Sequence, residues 1–193
     1  MTDRLPHPQL LLGLAALRDR ALATDSLNAL AFSIANDAYA LLHYHQALVL
    51  AQCGGDLELL CVSGLARPSE DSPYLVWLRR ASRWLASQVP DAQPRWLGRD
   101  SLAPPDDIAE GWAEWWPSGL WCIPLHDRDA QRLGLVLFLL EAPPAENLVP
   151  LMEGVWQTWA HCWASFGQRR RLLGWRPSKR QALVAMAVAA LLL

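Results

Sequence analysis

The chain has 193 residues, 52% of them hydrophobic and 19% charged, with a formal net charge of −2. That length suits one domain with its own core, and the apolar fraction excludes a disordered chain. The charge is uneven: Arg169, Arg170, Arg171, Arg176, Lys179 and Arg180 close the sequence with no acid beyond Glu153, so residues 1–168 set 11 basic residues against all 19 acids, a net of −8. Nucleic acid is therefore not the expected partner, because phosphates need a basic face.

The start of the chain holds the apolar run Leu10 to Leu17. Arg4 before it is countered by Asp3, and Arg18-Asp19-Arg20 stands where a cleavage site would be small and neutral, so the run predicts an amphipathic helix rather than a signal peptide. After Thr24-Asp25, taken as capping residues, Leu27, Leu30, Ala31, Ile34, Ala38, Leu41 and Leu42 recur at helical spacing and predict one helix over 26–42. Ala47 to Ala51 and Leu57 to Val62 flank Gly54-Gly55, which predicts a β-hairpin with a tight turn.

Ser72-Pro73 then opens a helix carrying Tyr74, Trp77, Leu78, Ala81, Trp84 and Leu85 on one stripe, with Arg79, Arg80 and Arg83 on a basic face that is either solvated or meets an acidic partner. A proline-rich stretch follows, with a short strand at Trp96-Leu97 and a helix over Asp107 to Trp116. Leu120 to Leu125 and Leu133 to Leu140 read as a second hairpin joined by the polar turn His126 to Arg132. A last helix over 146–166 carries Leu148, Leu151, Met152, Val155, Trp159, Cys162, Trp163 and Phe166 on one apolar stripe. Val149, Trp156 and Trp163 mark a second seam on it, which together with the helix over Leu10 to Leu22 predicts a homodimer.

This order predicts an α+β domain, an antiparallel sheet of five or six strands with helices packed on it. At this point the chain resembles a GAF domain. The resemblance is carried by the helix Leu27 to Leu42 running into Ala47 to Leu50, by the Gly54-Gly55 turn, and by the segment WCIPLHDRDAQRLGLVLFLLE from Trp121 to Glu141. In GAF domains that segment is a strand ending in Pro-Leu, a turn, and Leu-Gly before an apolar strand; Pro124-Leu125 and Leu133-Gly134 match it. The expected organisation is an N-terminal helix over 1–24, a GAF-like domain over 25–168, a basic juxtamembrane linker over 169–181 and the start of a transmembrane helix over 182–193.

That last segment reads ALVAMAVAALLL. Twelve helical residues span about 18 Å against a hydrocarbon core of about 30 Å, too short to cross, and the run reaches the chain end without a cap. It is read as a transmembrane helix cut short. A buried core helix is the competing reading for such a length, but this run is apolar on every face and follows a basic flank, the mark of the cytoplasmic side. Residues 1–180 are then expected at the cytoplasmic face of an inner membrane. Arg169, Arg170, Arg171, Trp175, Arg176, Lys179 and Arg180 form the expected membrane interface, attracting anionic headgroups at ~1 kcal/mol per basic residue. The domain order is similar to bacterial HlyD-type periplasmic adaptors with a GAF-like domain before their single span. That resemblance implies a docking or sensory role in export or efflux, with the cytoplasmic side of a transporter as partner. The alternative is the sensor domain of a membrane-bound signalling protein.

For chemistry, His43-Tyr44-His45 lacks a third ligand at metal-site spacing, and Cys122 with His126, or His161 with Cys162, does not make a Cys-His nucleophile. The four cysteines, Cys53, Cys61, Cys122 and Cys162, lie scattered in apolar stretches, as small hydrophobes of a reducing compartment do. Arg67 to Asp71 reads as a polar turn. No catalytic residue, metal or cofactor is expected, so the domain is expected to bind rather than catalyse. Of the 11 tryptophans, Trp112, Trp115, Trp116 and Trp121 cluster where the GAF resemblance implies one side of a ligand pocket. They are the candidate pocket wall for a small molecule that the sequence leaves unidentified, with core or interface packing as the alternative.

Overall fold

The computed structural model describes residues 8–53, 56–64, 72–89, 93–116 and 119–173, with side chains to 167. Helix α1 (Pro8–Leu22) leads to α2 (Leu27–Asp37), the single turn α3 (Tyr39–Leu42) and the strands β1 (Gln46–Cys53) and β2 (Asp56–Val62). Helix α4 (Pro73–Gln88), strand β3 (Arg95–Gly98), α5 (Asp106–Trp115), the strands β4 (Gly119–His126) and β5 (Arg132–Leu140), and the 26-residue α6 (Leu148–Leu173) complete the chain.

The helix expected over 26–42 is two helices, and its cap lies one residue later than expected. Ser26 caps α2, its hydroxyl accepting from Ala29 N at 3.3 Å. Thr24 instead closes α1, donating to the Ala21 carbonyl at 2.6 Å. Asn36 and Asp37, poor helix formers, sit at the break: the Asn36 amide donates to the Phe32 carbonyl, and Asp37 accepts from Ser33 and pairs with Arg20 at 3.0 Å. The chain leaves α3 through His43, in the left-handed region at φ 43°. At α4 the expectation holds, with Ser72 capping Leu75 N and Pro73 in the first turn.

The strands form one five-stranded antiparallel sheet in the order β2-β1-β5-β4-β3. Strand side chains alternate between faces, so the register fixes two cores. Ala47, Val49, Trp121, Ile123, Val136 and Phe138 face one way and are covered by α1, α2 and α6. Leu48, Leu50, Leu120, Cys122, Leu135, Leu137 and Leu139 face the other way, under α4 and α5. The central strands read as unbroken apolar runs because both of their faces are buried.

Three tryptophans one turn apart seat α6 on the sheet. Trp156 meets Trp121 edge-on at 6.2 Å, Trp159 packs against Phe138 at 6.5 Å, and Trp163 lies over Gly134. Trp156 and Trp163, expected in an intermolecular seam, thus pack within the fold, and α1 buries Leu14, Leu17 and Ala21 in the same core. The turn between β4 and β5 is held by the Asp127 carboxylate, which accepts from Asp129 N and Gln131 N at 2.9 Å each.

Among the described residues no helix is long and apolar enough to cross a membrane. Trp175, Arg176, Lys179, Arg180, the apolar run 182–193, Arg67 to Asp71 and the Gly54-Gly55 turn lie outside the described residues. So do the side chains of Arg169, Arg170 and Arg171, whose backbone continues α6.

Gly134 tests the seating of α6. A Cβ there would stand 2.8 Å from the Trp163 ring and closer still to the Leu50 carbonyl across the β1/β5 ladder. Gly134→Ala is expected to cost about 2–3 kcal/mol of stability in a urea titration, as overpacking does; a change within about 0.5 kcal/mol would mean that the strands and α6 part freely there.

Candidate functional site

The candidate site is the aromatic layer between α4 and α5. Helix α4 presents Tyr74, Trp77 and Trp84 from one stripe, and the end of α5 presents Trp112, Trp115 and Trp116. Their rings meet mostly edge to face: Trp77 lies 4.7 Å from Trp116 and 5.1 Å from Trp115, Trp112 lies 5.1 Å from Trp116 and 6.2 Å from Trp84, and Tyr74 lies 5.6 Å from Trp115. Such contacts place a positive ring edge on a negative ring face. Gly111 lets Trp77 reach α5, since a Cβ there would collide with the indole. Outside the aromatic layer, Arg80 and Asp107 tie the two helices at 2.9 Å. An acidic partner for this basic face thus lies within the chain.

The polar edges of the cluster differ. The Trp77 N–H donates to the Ile108 carbonyl at 3.3 Å, and the Tyr74 hydroxyl donates to Gln46 Oε1 at the start of β1. The Trp116 N–H is buried and faces the Tyr74 oxygen, whose charged form it favours by hydrogen bonding. Burial is the larger effect and pushes the Tyr74 hydroxyl above its ordinary pKa. Ser82, 1% exposed on α4, has a hydroxyl without a partner.

Of the four residues expected to form one wall, Trp112, Trp115 and Trp116 come together and Trp121 does not. Trp121 sits on β4 between Leu120 and Cys122, which face α4 and α5, so alternation turns it to the opposite core beside Phe138 and Trp156. Tyr74, Trp77, Trp84 and Gln46 join the layer without belonging to the expected wall. Tyr74 and Trp77 were already on the apolar stripe of α4; only the tertiary contact shows which helix they meet.

The other candidates resolve separately. Tyr44 is buried and its hydroxyl donates to the Ala35 carbonyl at 2.7 Å. His45 pairs with Glu141 at 3.0 Å, whereas His43 packs against Tyr39. Burial raises the pKa of Cys61, Cys122 and Cys162, which disfavours a reactive thiolate at each. At the far end of the sheet Arg132 donates to Gln52 Oε1 at 3.0 Å and to the Val89 carbonyl at 3.1 Å, joining β5, β1 and the end of α4. Opposite it in the β4/β5 ladder, His126 titrates below its ordinary value, first through burial and then through Arg132.

Two outcomes follow. Ser82→Ala removes an unpaired buried hydroxyl, which is expected to raise stability by about 1 kcal/mol, read as a higher urea midpoint. For His126, a folded pKa below the unfolded one means that the unfolded chain takes up the proton more readily. Stability is then full above the unfolded value, near 6.5, and falls as pH drops through it. His126→Gln is expected to flatten that fall between about pH 7 and pH 5, measured by urea titration across the pH range.

No family model and no curated protein matches the sequence. By structure the chain is similar to a domain assigned to a two-component sensor histidine kinase protein of Sinorhizobium meliloti, at TM-score 0.62 and 11% identity, covering 79% of this chain and 100% of that one. It is also similar to the GAF domain of a two-component sensor histidine kinase of Bacillus halodurans, at TM-score 0.50 and 14% identity, covering 68% and 89%. The chromophore-binding domain of the R. palustris bacteriophytochrome RpBphP3 matches at TM-score 0.56 and 11% identity, covering 83% of this chain and 63% of that one. The fold is GAF-like.

Proposed function

We propose that this chain is a non-catalytic sensory domain of a membrane-bound signalling protein. Its described part would stand at the cytoplasmic face, tethered through the basic segment 169–181 and the apolar run 182–193. The observation that carries this reading is the course of α6. It is seated on one face of the sheet by Trp156, Trp159 and Trp163, and its backbone continues unbroken through Arg169, Arg170 and Arg171 to Leu173. The aromatic layer lies on the opposite face of the same strands, one residue away, as Cys122 beside Trp121 illustrates. A rearrangement between α4 and α5 therefore has a short, packed route to the helix that leaves the domain.

Two further observations support the reading. The GAF-like neighbours include domains of sensor histidine kinases and a chromophore-binding domain. Burial makes Cys61, Cys122 and Cys162 poor nucleophiles, which favours binding over catalysis. The export-adaptor reading rests on domain order alone, and the fold adds nothing to it. Leu11, Leu12 and Leu22 remain exposed along α1 and favour self-association, while the basic segment favours anionic lipid.

The reading is tested by fusing residues 1–173 to the catalytic half of a histidine kinase stripped of its own sensor. Trp163→Ala is expected to change autophosphorylation severalfold, because it unseats α6. A rate unchanged by Trp163→Ala and equal to that with an inert coiled coil in place of the domain would overturn it. In the full chain a fluorescent reporter at the N-terminus should light in the cytoplasm, and alkaline phosphatase activity from the same position would overturn the orientation.

A further inference from the structure

The outer surface of α4 and α5 is divided by sign. Tyr74 meets Trp115, Trp77 stands against Gly111 and Arg80 pairs with Asp107, so the two helices lie antiparallel, side by side. Away from the sheet, α4 exposes Arg79, Arg80 and Arg83 beside Val76, which is 46% exposed. Helix α5 exposes Asp106, Asp107, Glu110 and Glu114 beside Ala113. Arg80 and Asp107 answer each other at 2.9 Å across the seam. Among the described residues Arg79, Arg83, Asp106, Glu110 and Glu114 make no ion pair.

Within one copy this pattern is unfavourable. Like charges four residues apart on a helix repel, as Arg79 with Arg83 and Asp106 with Glu110 with Glu114 do. Glu114 also adds negative charge to the last turn of α5, where the helix dipole is already negative. What relieves a charged stripe is an opposite stripe in front of it. The face as a whole is nearly neutral, three arginines against four acids, so a partner of one sign, such as an anionic membrane or a nucleic acid, gains over one helix and loses over the other. A second copy has both signs at the right spacing. Rotation by half a turn about an axis that lies in the face, parallel to the helices, exchanges the two stripes and sets α4 of each copy over α5 of the other.

We propose that the α4/α5 face is a docking surface for a second copy of this chain, the two copies meeting about a twofold axis with Arg79 and Arg83 of each facing the acidic stripe of the other. The contact lies on the opposite side of the sheet from α1 and is independent of the sensory reading.

Reversing the charges tests it in the full chain, held in a non-ionic detergent. Arg79→Glu with Arg83→Glu makes both stripes acidic, and Glu110→Lys with Glu114→Lys takes the acidic stripe away. Each reversed protein is expected to self-associate at least about tenfold more weakly than the unsubstituted chain in sedimentation equilibrium. Their equimolar mixture is expected to associate within about threefold of the unsubstituted chain, because both contacts of the mixed dimer then join opposite charges. Raising salt from about 50 mM to about 500 mM should weaken the unsubstituted dimer severalfold. A dimer formed elsewhere would be strengthened or left unmoved by salt, since residues 1–168 carry a net of −8 and repel their copies. Equal association of all three proteins, a mixture no tighter than its components, a dimer that salt does not weaken, or an unsubstituted chain that is monomeric at millimolar concentration would overturn the docking surface. If a reversed protein does not fold, as read by far-ultraviolet circular dichroism, the salt titration of the unsubstituted chain decides alone.

Discussion

Everything in this fold depends on β1, β4 and β5 being buried on both faces. A strand in that position offers apolar side chains up and down, so a helical layer is required on each side, and leaving either face bare would expose a row of Leu, Val and Trp to water. On one side α4 and α5 give the cover, with Trp77, Trp112 and Trp116 buried among the leucines of the sheet. On the other side α1, α2 and α6 share the work.

The same constraint separates the tryptophans. Residues 112, 115, 116 and 121 are neighbours in sequence, but a sheet divides its residues by parity, and Trp121 falls to the far core. What gathers on the near side instead is drawn from α4, some forty residues earlier in the chain. The chain of hydrogen bonds from Trp116 to Tyr74 and on to Gln46 exists only because those distant segments meet.

How much of this was legible in the sequence varies with the physics. Both hairpins were plain, because in each two apolar runs of strand length flank a short segment of turn-forming residues. The cap at Ser72-Pro73 was equally plain, being a local event. The division of residues 27–42 into α2 and α3 was not, since Ala38, Leu41 and Leu42 keep the helical period across the break and the decisive contacts are the side-chain bonds of Asn36 and Asp37. Three of the four proposed wall residues assemble because they share one short helix and its cap. Trp121 departs by simple alternation, which was readable from Leu120 and Cys122 had the strand been given precedence over proximity. Tyr74 and Gln46 meet across 28 residues of chain, and no local pattern announces such a pair.

The parity of the sheet also gives the molecule two sets of built-in optical labels. Trp77, Trp84, Trp112, Trp115 and Trp116 gather in one layer, and Trp96, Trp121, Trp156, Trp159 and Trp163 pack in the other. Close edge-to-face indoles perturb each other's near-ultraviolet transitions, so the two layers carry different spectra. Replacing the tryptophans of one layer, and Trp175 with them, leaves the other to report alone. Whether the two cores melt as one cooperative unit, or the α4/α5 layer loosens first, thus becomes a question about two signals from a single unlabelled chain.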